Sequence, residues 1–146
     1  AWSSVFIAVL GFAVWAHHMF QVGSPLSVDT FFAAASMVIA VPTGIKIFNW
    51  IGTLWGGAIR LTSAMLFALG FIAMFVIGGL SGVMLAVVPI NWQVHDTYFV
   101  VAHLHYVLFG GSVFGFFAGF YYWYPKVMGR KMNETLGKAH FWIQAG

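Results

Sequence analysis

Val100-Val101-Ala102-His103-Leu104-His105-Tyr106-Val107-Leu108 sets two histidines inside a long apolar run. An ionisable ring in such a run is disfavoured, so a pair of them needs partners or a function. On an α-helix each residue advances ~100°, so positions two apart point ~200° apart. His103 and His105 therefore face nearly opposite sides and cannot share one metal. If both are ligands, their helix stands between two separate cofactors and serves one from each face.

The rest of the composition supports a membrane setting for that helix. Of 146 residues, 62% are hydrophobic, 19% aromatic and only 6% charged. Soluble domains carry ~25% charged residues. A chain this poor in charge cannot cover a water-facing surface, so the class is integral membrane protein. There is no cysteine, which excludes disulfides, thiolate metal sites and iron–sulfur clusters within the segment. The net charge of +3 does not imply nucleic acid, because the basic residues fall between apolar runs. The chain starts and stops within apolar pattern and is expected to be a segment of a larger protein.

The hydropathy pattern predicts an all-α, polytopic transmembrane helix bundle with four full spans plus the start of a fifth. The first span runs from Trp2 to Phe20 and ends in His17-His18. The second runs from Val28 to Trp55, with Asp29 near its N-terminus, where a carboxylate suits the helix dipole. Pro42 and Gly44 are expected to kink it or break its hydrogen-bond ladder. The third runs from Thr62 or Ser63 to Val88, with Gly78, Gly79 and Gly82 allowing close helix approach. Pro89 to Val94 form a loop, His95 to Tyr124 the fourth span, and Pro125 to Lys138 a polar connection. A fifth helix begins near His140. Arg60, Lys126, Arg130, Lys131 and Lys138 fall in the connections after the second and fourth spans, whereas those after the first and third carry no Lys or Arg. The positive-inside rule puts the basic side in the cytoplasm or an equivalent compartment.

Topology then brings polar residues to related depths. His17 and His18 close the first span at its outer end. As plain interfacial imidazoles they need no further role. As ligands of one metal they require a distorted helix end, because adjacent residues diverge by ~100° on a regular helix. Neutral imidazole is a common ligand of copper, zinc and iron. His103 lies ~12 Å below the outer end of its own helix at 1.5 Å per residue, so it sits at broadly the same depth. Lys46, the only basic residue inside a span, either snorkels to the inner interface or joins Thr43, one turn away, in a proton path. Asp96 either caps its helix or, with His95, holds a hard cation or conducts protons.

Together these motifs resemble subunit I of the haem–copper respiratory oxidases, over essentially the whole chain and as its seventh to tenth transmembrane helices. Trp15-Ala16-His17-His18-Met19-Phe20 looks like the copper-binding pair. Val41-Pro42-Thr43-Gly44-Ile45-Lys46 looks like the proton-conducting lysine segment. His95-Asp96-Thr97-Tyr98 through His103-Leu104-His105-Tyr106 looks like the haem helix. The resemblance implies that residues 1–146 are a segment of one transmembrane subunit I domain. It implies two haems and copper, with magnesium or manganese as a further ion. His17 and His18 would ligate copper, and His103 the high-spin haem facing it. His105 would ligate the low-spin haem on the opposite face. Lys46 and Thr43 would lie on a proton-uptake path, and His95 and Asp96 at the magnesium or manganese site.

The implied activity is four-electron reduction of dioxygen to water coupled to proton pumping, in the bacterial cell membrane. The implied partners are membrane lipid, the rest of subunit I, a copper-bearing subunit II, other oxidase subunits, an electron donor and dioxygen. His95-Asp96 resembles members fed by cytochrome c. Tyr124-Pro125-Lys126 and Lys131-Met132-Asn133-Glu134-Thr135 resemble bacterial members, including quinol oxidases, which are the alternative. Asn91 departs from the family, where relatives commonly carry an aspartate near a haem propionate. The third copper histidine, the other low-spin haem histidine and an arginine pair lie outside the segment. Rival classes are a non-redox proton channel or transporter, with the histidines as a relay, and a purely structural bundle.

Overall fold

The computed structural model describes residues 1–146 and is helical throughout, with no strand. Three helices are long and apolar enough to cross a membrane: α2 (Leu26–Leu54), α3 (Ser63–Leu85) and α5 (Tyr98–Met128). Three shorter helices complete the bundle: α1 (Trp2–Gly11), α4 (Val88–Val94) and α6 (Glu134–Ala145). The first expected span is thus divided. α1 stops at Gly11, and a separate 3-10 helix, Trp15–Met19, carries His17 and His18.

Other boundaries differ for local reasons. The expected loop at Pro89–Val94 is helical, because Pro89 falls in the first turn of α4, where its missing N–H is not needed. α5 continues through Pro125 to Met128 and ends at Gly129, whose φ of +67° gives the left-handed turn that closes a helix. α6 begins at Glu134, because the Asn133 side chain accepts from the Leu136 N–H at 3.1 Å and caps it. α2 runs unbroken through Pro42. Pro42 has no N–H for the Val38 carbonyl, while the Thr43 hydroxyl donates to Ile39 O at 2.8 Å.

α3 is the axis of the bundle. It packs against α2, α4, α5 and α6, most extensively against α5, while α1 packs on α2. Glycine makes the α3–α5 approach possible. A Cβ on Gly78 would lie 3.0 Å from Tyr106 Cβ, and one on Gly82 would lie 2.8 Å from His103 Cε1. A Cβ on Gly110 would lie 2.4 Å from Met74 Cβ. Gly110 and Gly111 fall in a π-helical stretch, Tyr106–Val113, that interrupts α5 directly after His105. At the other end of the helix pair, Phe67, Phe114 and Phe141 form a small aromatic core tying α3, α5 and α6 together. There the Glu134 carboxylate accepts from the backbone N–H and the hydroxyl of Ser63, which is 1% exposed. The α2–α3 and α5–α6 connections therefore share one end of the bundle, as the charge pattern requires. Only 16 of 146 residues are buried, so most apolar side chains face outward, as in a membrane-embedded chain.

Gly110→Ala should destabilise the parent protein by about 1–3 kcal/mol through overpacking against Met74. Gly52→Ala, where no atom lies within 4 Å of an added Cβ, should be near neutral. Thermal unfolding in detergent checks both; equal effects would contradict the close-approach reading.

Candidate metal centre

Between the outer halves of α2, α3 and α5 lies a cavity of about 360 Å³ with mainly apolar walls. His17, His18, Ser36, Thr43, Asn91, His95 and His103 supply its polar atoms. The sequence brought the histidines to a common depth; the structure brings them to a common cavity. His105 does not line it, so the two histidines of the opening stretch do point to different sides.

The distortion that His17 and His18 require is present as the 3-10 helix. Their Nε2 atoms converge to 3.0 Å, with the rings edge to face. The Ser36 hydroxyl donates to Phe32 O at 2.5 Å, so it accepts from His17 Nδ1–H at 2.7 Å. The lone pair of His17 is therefore on Nε2, facing His18. Two nitrogens 3.0 Å apart either share a proton or bracket one cation, at the ~2.0–2.1 Å typical of metal–imidazole bonds.

His103 is fixed in the same way. Its Nδ1 lies 2.9 Å from the Gly78 carbonyl, which can only accept, so Nδ1 carries the proton. Ser81 Oγ, 3.1 Å from the same nitrogen, donates to that carbonyl at 2.8 Å. Nε2 is left with a lone pair, the state an iron ligand needs. His105 repeats the arrangement on the other face. Its Nδ1 donates to Val101 O at 2.8 Å, and its ring is nearly parallel to Phe109, with centroids 6.0 Å apart. Both imidazoles thus fit a metal through Nε2. No three His, Asp or Glu side chains converge on one point, so the segment supplies part of a ligand set.

Thr43 lines the cavity and Lys46 does not. The Lys46 ammonium donates to Ser4 Oγ on α1 at 2.7 Å and lies 5.4 Å from the centre of the Trp50 ring. His95 reaches the cavity, whereas Asp96 is 90% exposed, 3.5 Å from His95 Nε2. Asp96 does not cap α5. Thr97 does, its hydroxyl accepting from Phe99 N–H, while Asp96 takes a left-handed φ of +56° in the bend before it. Asn91 is 6% exposed; its amide donates to Leu85 O at 3.1 Å and its oxygen has no partner. Ser36, against His17, and Ser81, against His103, were not singled out by sequence reading. Their signal was a serine in an otherwise apolar helix, which is weak because serine commonly bonds back to its own helix.

The paired and opposed imidazoles thus sit in a bundle of membrane-length helices, the class of integral membrane protein, and comparison with known proteins gives its family. The family model described as "Cytochrome C and Quinol oxidase polypeptide I" matches residues 1–146. The chain belongs to this family, subunit I of the haem–copper oxidases. It is 63% identical to "Cytochrome c oxidase subunit 1" of Synechocystis sp. over 141 residues, covering 97% of this chain and 26% of that protein. It is 59% identical to the protein of the same name from Thermostichus vulcanus, covering 97% of this chain and 26% of the relative. Against "Quinol oxidase subunit 1" of Bacillus subtilis it is 54% identical, covering 97% and 22%. The chain therefore spans about a quarter of the length of these relatives.

Ser36→Ala removes the acceptor that fixes the His17 ring. A metal held by the His17–His18 pair should bind roughly 10–100-fold more weakly in that variant, the usual effect of losing a partner of a ligating histidine. Metal analysis of the purified parent protein checks it; unchanged occupancy under chelator challenge would contradict the role of Ser36.

Proposed function

We propose that this chain forms the central part of a terminal oxidase that reduces dioxygen to water with four electrons from cytochrome c, coupled to proton pumping. The observation that carries the reading is the partition of the histidines. His17, His18 and His103 share one cavity, and His105 lies on the other face of α5. Family membership and the cytochrome c oxidase relatives support it.

In this reading His17 and His18 would hold copper through their Nε2 atoms, and His103 would hold the iron of a high-spin haem. His105 would hold the iron of a low-spin haem. Bound there, these groups supply the redox chemistry. The chain's own part is to set positions and exclude water. Gly78 O and Ser81 fix the His103 ring, Ser36 fixes His17, and Val101 O fixes His105. About half a turn of α5 separates the two proposed haem ligands, so the electron-delivering and oxygen-binding sites would be held at one fixed separation.

Lys46 and Thr43 are the proposed proton carriers. Lys46 is bonded to Ser4 and outside the cavity, so delivery requires its ammonium to swing from Ser4 towards Thr43. His95 and Asp96 offer a nitrogen and a carboxylate for magnesium or manganese, with the remaining ligands from elsewhere in the assembly. The partners are lipid, the remainder of subunit I, a copper-bearing subunit II, other oxidase subunits and cytochrome c, in a bacterial cell membrane. A quinol oxidase is the second reading, favoured by the 54% identity to the Bacillus subtilis subunit.

Optical spectra of the intact oxidase test the assignment. His105→Ala should remove the low-spin haem signature and stop electron delivery. His103→Ala should remove the signature of the oxygen-binding haem. A colourless parent protein would contradict the oxidase reading. Lys46→Met should slow oxygen consumption by roughly a hundredfold, the scale of a lost proton carrier, with near-normal haem spectra; unchanged turnover would contradict the proton path. Reduction by cytochrome c but not quinol should follow.

A further inference from the structure

At the end of the bundle opposite the histidine cavity, the α5–α6 connection closes over a second cavity of about 370 Å³. Arg130 and Lys131 line one side; Tyr121, Tyr124, Met132 and Leu136 line much of the rest. The charge at this end is one-sided. Five of the six Lys and Arg side chains of the chain lie here, with one carboxylate, Glu134. That carboxylate is committed to Ser63. The chain's single ion pair is His95–Asp96 at the far end, so neither Arg130 nor Lys131 has an anionic partner. Leu136, in the cavity wall, is exposed, and so are the apolar side chains Tyr122, Trp123, Val127 and Met128 on the last turns of α5. Those side chains sit at the terminus of a membrane-spanning helix, at the depth where headgroup meets acyl chain.

The positive-inside rule accounts for the sign of this charge. It does not require two unpaired cations to line a cavity with an apolar flank. We propose that the cavity is a binding site for an anionic phospholipid. Its phosphodiester pairs with Arg130 and Lys131, and its acyl chains lie along the apolar face of α5 and α6. Basic pockets between membrane helices on this side suit anionic headgroups, and the guanidinium adds bidentate geometry towards phosphate oxygens. The lipid would bridge the α5 terminus and α6, which Glu134 and Ser63 already tie to α3. The site is independent of the oxygen chemistry and rests on membrane placement alone.

Native extraction of the intact parent protein in polymer discs, with lipids quantified per protein by mass spectrometry, tests the proposal. Each cation near an anionic lipid is worth about fivefold in affinity, so R130Q/K131Q should weaken retention of phosphatidylglycerol or cardiolipin roughly 25-fold. R60Q/K138Q, equal in charge change but outside the cavity, should retain the lipid, as should the charge-conserving R130K/K131R to a large extent. Equal loss in R60Q/K138Q would mean a diffuse charge effect and overturn the site. A second arm uses the unmodified, delipidated enzyme. Phosphatidylglycerol should raise its unfolding temperature, and phosphatidylcholine or inorganic phosphate should not. Equal stabilisation by inorganic phosphate would mean a free-anion site, and no stabilisation by phosphatidylglycerol would mean no site; either overturns the proposal.

Discussion

The 2.9 Å hydrogen bond from His103 Nδ1 to the Gly78 carbonyl is the contact around which the rest of the bundle is arranged. It requires the backbone of α3 to come within reach of a side chain on α5. Only small residues permit that: a methyl group at Gly82 would press on the His103 ring, and one at Gly78 on Tyr106. In hydrocarbon there is little hydrophobic drive between helices, so packing of this kind and buried hydrogen bonds are what select the helix pair. The same contact settles the tautomer of His103 and leaves Nε2 for another partner. Packing and chemistry are therefore one constraint: the glycines that bring the helices together also aim the imidazole.

That constraint propagates in both directions along α5. Towards the inner end the π-helical stretch lets Gly110 and Gly111 settle against Met74 and Phe75, and the aromatic core of Phe67, Phe114 and Phe141 fixes the register. Towards the outer end α5 stays regular from Tyr98 to His105, which keeps the two histidines on opposed sides. Irregular backbone is concentrated where function is proposed: the 3-10 helix at His17 and His18, the left-handed Asp96, and the π stretch beside His105. Such departures from the regular helix are commonly found at functional sites.

Much of this was legible in the sequence. The helical period alone separates His103 from His105, and the charge pattern places the α2–α3 and α5–α6 connections together, as the Ser63–Glu134 contact bears out. Other features depend on contacts that no local pattern encodes. The break after Gly11 follows no proline, so the sequence reads as one helix to Phe20. The capping of α5 falls to Thr97 and not Asp96, because the carboxylate turns outward to His95. Lys46 shares a helix face with Thr43, yet its four-carbon stem reaches Ser4 on α1 and leaves the cavity to the threonine. The serines that fix the histidine rings were hidden because their role depends on which neighbour reaches them.

The central claim is that α5 separates two haem irons, with His103 alone facing the copper pair. Anomalous diffraction from crystals of the intact oxidase, collected at the iron and copper absorption edges, tests it most directly. Two iron peaks are expected, one at His103 Nε2 and one at His105 Nε2, with a copper peak at His17 and His18 on the His103 side. Copper on the His105 side, or a single iron peak, would contradict it.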